Sequence, residues 1–308
     1  MFLWTNLIVN AASLLACILS WKLPILNFGG CALSYTIEGA GPPVLLIQGV
    51  GVHGSGWLPQ LPALTPNFTC LTWDHRGIGT SQPIGSKISI AQLVDDSLAL
   101  MDSQGWDSAH IVGHSMGGII AQELALHARS RVKTLTLMCT VAKGSDATGL
   151  TWFRFWTGSR TRIGPRAARR RAFLQIVLPP SEVPTDKQKR ADLAEQIAKY
   201  FGHDLADHSP HEMKQLLALG AHDTTPRLAE LAGIPTLVIS GELDGIAPAR
   251  CGQALANAIP GAKYVEFHGA AHGVPMMRAE EVNNVLLSHL TATPESSTSY
   301  ERCPTQSS

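Results

Sequence analysis

"IVGHSMGG" (Ile111–Gly118) decides how this 308-residue chain is read. The short strand-like run Ala109–Val112 ends in Gly113-His114-Ser115-Met116-Gly117, and a helix-forming stretch, Met116–Ala128, starts at once. A G-x-S-x-G pentapeptide between a strand and a helix makes a sharp turn that exposes the serine hydroxyl, and its small residues let the turn form without clashes. The bare pattern also matches idle glycine-rich turns; the flanking strand and helix give it meaning. Ser115 is the candidate nucleophile.

A serine hydroxyl is a poor nucleophile at neutral pH. It needs a base, and the base needs an orienting acid. Downstream, "VISGELDGIAP" (Val238–Pro248) places Asp244 just past an apolar strand. "VEFHGAAHGVP" (Val265–Pro275) places His272 just past the last strand. Glu242 is a minor rival to Asp244. His268 is a rival base, but it abuts the strand end and is poorly placed to reach over the site.

Working outward, "CALSYTIEG" (Cys31–Gly39), "PVLLIQG" (Pro43–Gly49), "FTCLTWD" (Phe68–Asp74), "TLTLMCT" (Thr134–Thr140), "PTLVISG" (Pro235–Gly241) and "KYVEF" (Lys263–Phe267) read as strands. Helical stretches alternate with them: Ile88–Gln104, where Ser89 and Gln92 form a capping-box pattern, Met116–Ala128, Pro248–Ile259 and about Arg278–Leu290. Short apolar strands separated by helices predict an α/β fold with a mostly parallel sheet covered on both faces. Almost a hundred residues separate "TLTLMCT" from "PTLVISG", too many for a loop. "QKRADLAEQIAKYFG" (Gln188–Gly202) and "HEMKQLLALG" (His211–Gly220) have helical composition. Residues 143–222 are therefore read as an inserted helical cap over the C-terminal edge of the sheet, where ligands bind in such folds. There is no internal repeat.

"WDHRGIGTSQ" (Trp73–Gln82) adds a D-x-R-G-x-G-x-S after the third strand. With the serine turn and the order Ser, Asp, His, it resembles the α/β-hydrolase family over roughly Leu23 to Leu290. The resemblance implies an eight-stranded type of sheet with an inserted cap and a triad of Ser115, Asp244 and His272. It also implies an oxyanion hole from the backbone N–H groups of Val50 and Met116. Gln48-Gly49 stands where the family usually has His-Gly, so Gln48 becomes the loop brace. His53-Gly54 is a later part of that loop. Trp57 falls where members often carry a tryptophan and is a candidate for the substrate pocket, and Asp74 and Arg76 organise a turn. A second departure is Gly269-Ala270-Ala271-His272 in place of G-x-G-H. Capped members with "GHSMGG" look like esterases, lactonases, carbon–carbon bond hydrolases and cofactor-free haloperoxidases.

The function expected is a serine hydrolase acting on an ester, thioester or lactone of a mainly apolar small molecule through an acyl-enzyme on Ser115. A carbon–carbon bond hydrolase or an acyltransferase with the same triad is the alternative. A ligand receptor on the same fold is the alternative from another class. Serine at 115 disfavours an aspartate-nucleophile dehalogenase or epoxide hydrolase. No cofactor and no metal is expected.

Lys and Arg number 24, as do Asp and Glu, and this balance argues against a nucleic-acid partner. Cysteines 17, 31, 70, 139, 251 and 303 show no CxxC and no metal spacing, and read as free thiols in a reducing compartment. His203, Asp204, Asp207, His208 and His211 fit no standard metal site and read as a cap loop. Trp152, Phe153, Phe155 and Trp156 cluster early in the cap, as core packing or as the lining of a substrate pocket. Arg160, Arg162, Arg166, Arg169, Arg170 and Arg171 read as a solvated face, with an anionic membrane surface as the sharper partner.

Met1–Trp21 carries no charged residue, and about 20 apolar residues suffice to span a bilayer. Residues 1–22 are thus a hydrophobic segment and a candidate single-pass anchor. A signal peptide is disfavoured by the lack of Lys or Arg. A segment packed on the domain, implying a cytoplasmic protein, or a mistaken start are the other readings. Residues 23–292 form the domain, and 293–308 read as a disordered tail. The oligomeric state is left open.

Overall fold

Val44, Leu45, Leu46 and Ile47 are all fully buried in the computed structural model, which describes residues 23–84, 87–147 and 160–292. They lie in β3 (Pro43–Ile47), between the parallel strands β4 (Thr69–Trp73) and β5 (Ala109–His114). Successive side chains of a strand point to opposite faces, so a strand covered on both sides is apolar throughout. Leu45 and Ile47 pack with Leu71, Trp73 and Ile111 on one face; Val44 and Leu46 pack with Cys70, Val112 and Met138 on the other.

The remaining strands are β1 (Ile25–Phe28), β2 (Cys31–Glu38), β6 (Val132–Met138), β7 (Thr236–Gly241) and β8 (Lys263–Phe267). They form an eight-stranded sheet in the order β1-β2-β4-β3-β5-β6-β7-β8. The pairs β1–β2 and β2–β4 are antiparallel and the others parallel. The expected α/β class is thus observed. Strand β1 was not anticipated from sequence: it has four residues, three of them exposed, and so no apolar alternation to read.

Helices α1 (Ile90–Ser103) and α2 (Met116–His127) cover one face of the sheet, with Ser89 Oγ accepting from Gln92 N at 3.2 Å to start α1. Beyond β6 come α3 (Arg166–Val177), α4 (Lys187–Phe201) and α5 (Glu212–Gly220), and then β7. Helix α6 (Ala249–Ala258) joins the first face, and α7 (Ala279–Thr291) covers the second through Val282, Leu286 and Leu290. Helices α3 and α4 have a core of their own, with Leu174, Val177, Ala194, Ile197 and Phe201. Val52, from the loop after β3, completes it and seats these helices on that loop.

Arg160, Arg162, Arg166 and Arg171 of the arginine-rich stretch are exposed, as a solvated face requires, and several of its arginines also pair with the cap. Arg166 donates to Asp207 Oδ2 at 2.7 Å, Arg170 chelates Asp204, and Arg162 reaches Glu212 Oε2 at 3.1 Å. Arg169 donates to the Ala206 carbonyl at 2.7 Å. The paired arginines hold the Asp204 carboxyl well below the usual range, Arg170 first among them. Among the described residues no helix is long and apolar enough to cross a membrane. The candidate anchor Met1–Trp21 and the tail 293–308 lie outside the described residues.

Candidate active site

Ser115 sits between β5 and α2 with φ 55° and ψ −120°, a backbone conformation that non-glycine residues rarely adopt. Its N–H donates to Met138 O at 2.9 Å, and its carbonyl accepts from Thr140 Oγ1 at 2.7 Å and Gly118 N at 2.9 Å. The two glycines of the motif have steric causes. A Cβ on Gly113 would lie 2.2 Å from Gly117 O, and one on Gly117 would lie 2.1 Å from Ile47 O. The turn closes against itself and against β3 only because both lack a side chain.

Strands β7 and β8 end beside it. His272 Nδ1 donates to Asp244 Oδ2 at 2.8 Å, and both residues are buried. Asp244 Oδ1 accepts from Ile246 N at 2.7 Å and Ala247 N at 2.9 Å, which fixes the carboxylate plane. A carboxylate can only accept, so the proton is on Nδ1 and the lone pair of His272 is on Nε2. The rivals sit elsewhere: His268 is 77 % exposed and faces the likewise exposed Glu242 at 3.6 Å. His114, next to the serine, places Nε2 3.1 Å from the His272 carbonyl. Burial pushes its pKa down to about 3. It is therefore a neutral ring donating from Nε2 and holding the His272 backbone.

Ser115 and His272 line a cavity of about 180 Å³. Val50, Val52, Ile119, Val141, Phe173 and Phe201 form much of its wall, with Ile176, Leu216, Leu219 and Ile246. The described lining contains no Lys, Arg, Asp or Glu. Trp57 is not part of it. That residue is fully buried against the sheet with Leu61 and Leu64, because the 3₁₀ turn Gly54–Trp57 carries it under the loop and into the second core. Trp152, Phe153, Phe155 and Trp156 lie outside the described residues.

The loop after β3 is held from several sides. Gln48 Oε1 accepts from Gly49 N at 3.3 Å, a weak local bond. The stronger brace is one that sequence reading missed: His75 Nε2 donates to the Gln48 carbonyl at 2.9 Å. His75 is fully buried, and burial lowers its pKa to about 4, so it is neutral. Asp74 Oδ1 accepts from Gly54 N at 2.8 Å, fitting the turn-organising role expected of it. The inserted helices hold the next residue. Gly51 N donates to Gln215 Oε1 at 2.9 Å, and His203 Nε2 lies 3.1 Å from Gly51 O. Val50 therefore stands between residues whose backbones are fixed on both sides. Met116 is the first residue of α2, where backbone N–H groups have no intrahelical acceptor.

Residues 42–278 match the family model described as the alpha/beta hydrolase fold. A protein named as a carbamate hydrolase, RutD, of Azorhizobium caulinodans is 32 % identical over 270 residues, which are 86 % of this chain and 97 % of that protein. The solved structure of a hydrolase from Pseudomonas aeruginosa is similar with TM-score 0.74 and 29 % identity, covering 89 % of this chain and all of that one. An enol-lactonase from Burkholderia xenovorans gives TM-score 0.73 at 29 % identity, over 87 % of this chain and 100 % of its own. Together with the eight-stranded sheet and the serine turn, these likenesses show that the chain belongs to the α/β-hydrolase family and is an enzyme of it.

Proposed function

We propose that the protein is a serine hydrolase that cleaves an ester, thioester or lactone of a mainly apolar small molecule through an acyl-enzyme on Ser115. The observation that carries this reading is the Asp244–His272 pair at 2.8 Å, whose His272 opens on the same apolar cavity as the strained Ser115. A binding cup without turnover has no use for an oriented base.

In this mechanism His272 Nε2 takes the proton of Ser115 Oγ as that oxygen attacks the substrate carbonyl. Asp244 holds the imidazolium through Nδ1–H. The oxyanion that forms is met by the N–H groups of Val50 and Met116, and the latter adds the positive end of the α2 dipole. His272 then returns its proton to the leaving oxygen or sulfur, and water resolves the acyl-enzyme by the same route. Helices α3 to α5 act as a cap that keeps the cavity dry. An uncharged, apolar wall favours an uncharged acyl group, since a buried charge without a partner is costly. The lactonase name of one similar structure is in keeping with an oxygen ester.

A panel of p-nitrophenyl esters and thioesters of increasing chain length, with lactones, tests the reading. Turnover is expected to rise with apolar chain length until the cavity is filled, and to be poor for charged acyl groups. Ser115→Ala and His272→Ala should each lower kcat by up to about 10⁶-fold, as members of a triad act as a unit. Wild-type protein that turns over none of the panel, or activity surviving in Ser115→Ala, would overturn it.

A further inference from the structure

We propose that His114, Cys139 and His272 together form an inhibitory binding site for a soft divalent cation of the Zn²⁺ type. A nitrogen of each histidine and the sulfur of Cys139 lie within 4.8 Å of one another, and all three residues are buried. All three also border the cavity that Ser115 opens on, so a cation can reach them. Thiolate plus imidazole is a donor set that suits Zn²⁺.

The bonds already described decide which nitrogen of each ring carries the lone pair, and those nitrogens are the ones we assign to the metal. His272 commits Nδ1–H to Asp244, which leaves Nε2 to ligate, with the carboxylate as the outer partner that metal-bound histidines commonly have. His114 commits Nε2–H to the His272 carbonyl, which leaves Nδ1 to ligate, with that carbonyl as its outer partner. Cys139 is held by the backbone, and its thiol is hydrogen-bonded to the Asp244 side chain, a bond that metal binding must replace. Its N–H donates to Ile239 O at 2.8 Å, and its φ of 47° makes it, with Ser115, one of two non-glycine residues at positive φ among the described residues. Tetrahedral Zn²⁺ with one sulfur and two nitrogens sets neighbouring ligand atoms about 3.3–3.6 Å apart, so the trio must close by roughly 1 Å on binding. A water molecule or Ser115 Oγ can take the fourth position.

Binding exchanges one proton for the metal. The buried Cys139 thiol loses its proton to solvent as the sulfur–metal bond forms. The Nε2 lone pair of His272 is then occupied and cannot accept from Ser115. Binding itself does not depend on the hydrolase reading; the inhibition does.

The test is calorimetric titration of the full chain with ZnCl₂ in two buffers of different ionisation enthalpy, with Cd²⁺ as a second probe for its sulfur-to-metal absorption band. Wild-type protein should bind Zn²⁺ with proton release and show the Cd²⁺ band. Outer-partner losses alone cost about 10–100-fold in metal affinity, so Cys139→Ala and Cys139→Ser should weaken Zn²⁺ by at least ~10-fold and remove the band. At equal Zn²⁺, fluorophosphonate labelling of Ser115 should slow in the wild type and not in Cys139→Ala. No Zn²⁺ binding by the wild type, or binding and a band unchanged by both substitutions, would overturn the proposal. If neither variant folds, wild-type protein phosphonylated on Ser115 decides: its Zn²⁺ affinity should drop, and an unchanged affinity places the metal elsewhere. If the serine does not label at all, the hydrolase reading fails, while the calorimetry still decides the metal site.

Discussion

His75 and Gln48 divide one task between a side chain and a backbone. The imidazole of His75 holds the carbonyl of residue 48, whatever side chain that residue carries, whereas the Gln48 amide reaches only its neighbour's N–H, and at 3.3 Å. Two substitutions separate the roles. His75→Phe should lower kcat by about 10–100-fold with little change in KM, because a displaced oxyanion donor harms the transition state more than the bound substrate, and full loss of one costs about 10²–10³. Gln48→Leu should cost less than His75→Phe, and Gln48→His should stay within about tenfold of wild type. Steady-state kinetics on the best ester of the panel checks this. A larger loss in Gln48→Leu than in His75→Phe would return the brace to Gln48.

Between elements, two contacts matter most. Helix α5 supplies Gln215, fully buried, to the N–H of Gly51 across 164 residues of sequence. Gln215→Leu leaves that buried donor unpaired, which costs about 1–3 kcal/mol. Since Gly51 adjoins Val50, kcat should fall with stability, and a variant that loses stability alone would separate the cap from the oxyanion loop. The second contact is the pair of Arg76 with Asp96 of α1, both side chains without exposure. Arg76 also donates to Ile84 O at 2.8 Å. Arg76→Ala strands a buried carboxylate and should cost about 3–5 kcal/mol in urea unfolding; a loss under 1 kcal/mol would contradict the pairing.

These contacts mark where sequence reading stops. Ser115, Asp244 and His272 were legible because each follows a strand whose apolar run is visible, and the fold brings strand ends together. His75 and Gln215 were not, since nothing local in either stretch says which backbone its side chain will meet. Trp57 was misplaced for a related reason: sequence put it in the right loop, but the face it turns to is set by a 3₁₀ turn. The arginine-rich stretch read as a solvated face, but the acids that Arg162, Arg166 and Arg170 meet, Glu212, Asp207 and Asp204, were not legible because they come some 34–50 residues later.

On the scale of the whole molecule, four buried histidines make stability depend on acid. Burial lowers the pKa of His75, His110 and His289 to about 4 and that of His114 to about 3. Each is neutral in the fold and takes up a proton on unfolding once pH drops below the ordinary value near 6.5. Their effect is absent above that pH. It grows as pH falls towards the folded-state values and levels off below them, at roughly 3 kcal/mol for each of His75, His110 and His289 and roughly 5 kcal/mol for His114. Against a typical stability of about 5–15 kcal/mol, the fold should weaken steeply between pH 6 and 4. Thermal melts across that range should show a falling Tm, and a flat Tm from pH 7 to 4.5 would contradict the burial of these rings.

Everything proposed for catalysis rests on one activated oxygen. Intact-mass analysis after treatment with a fluorophosphonate, followed by peptide mapping, reads it without any knowledge of the substrate. A single adduct is expected on the peptide bearing Ser115, formed rapidly by wild-type protein and lost in His272→Ala. No adduct, an adduct on another serine, or labelling that proceeds unchanged in His272→Ala would contradict it.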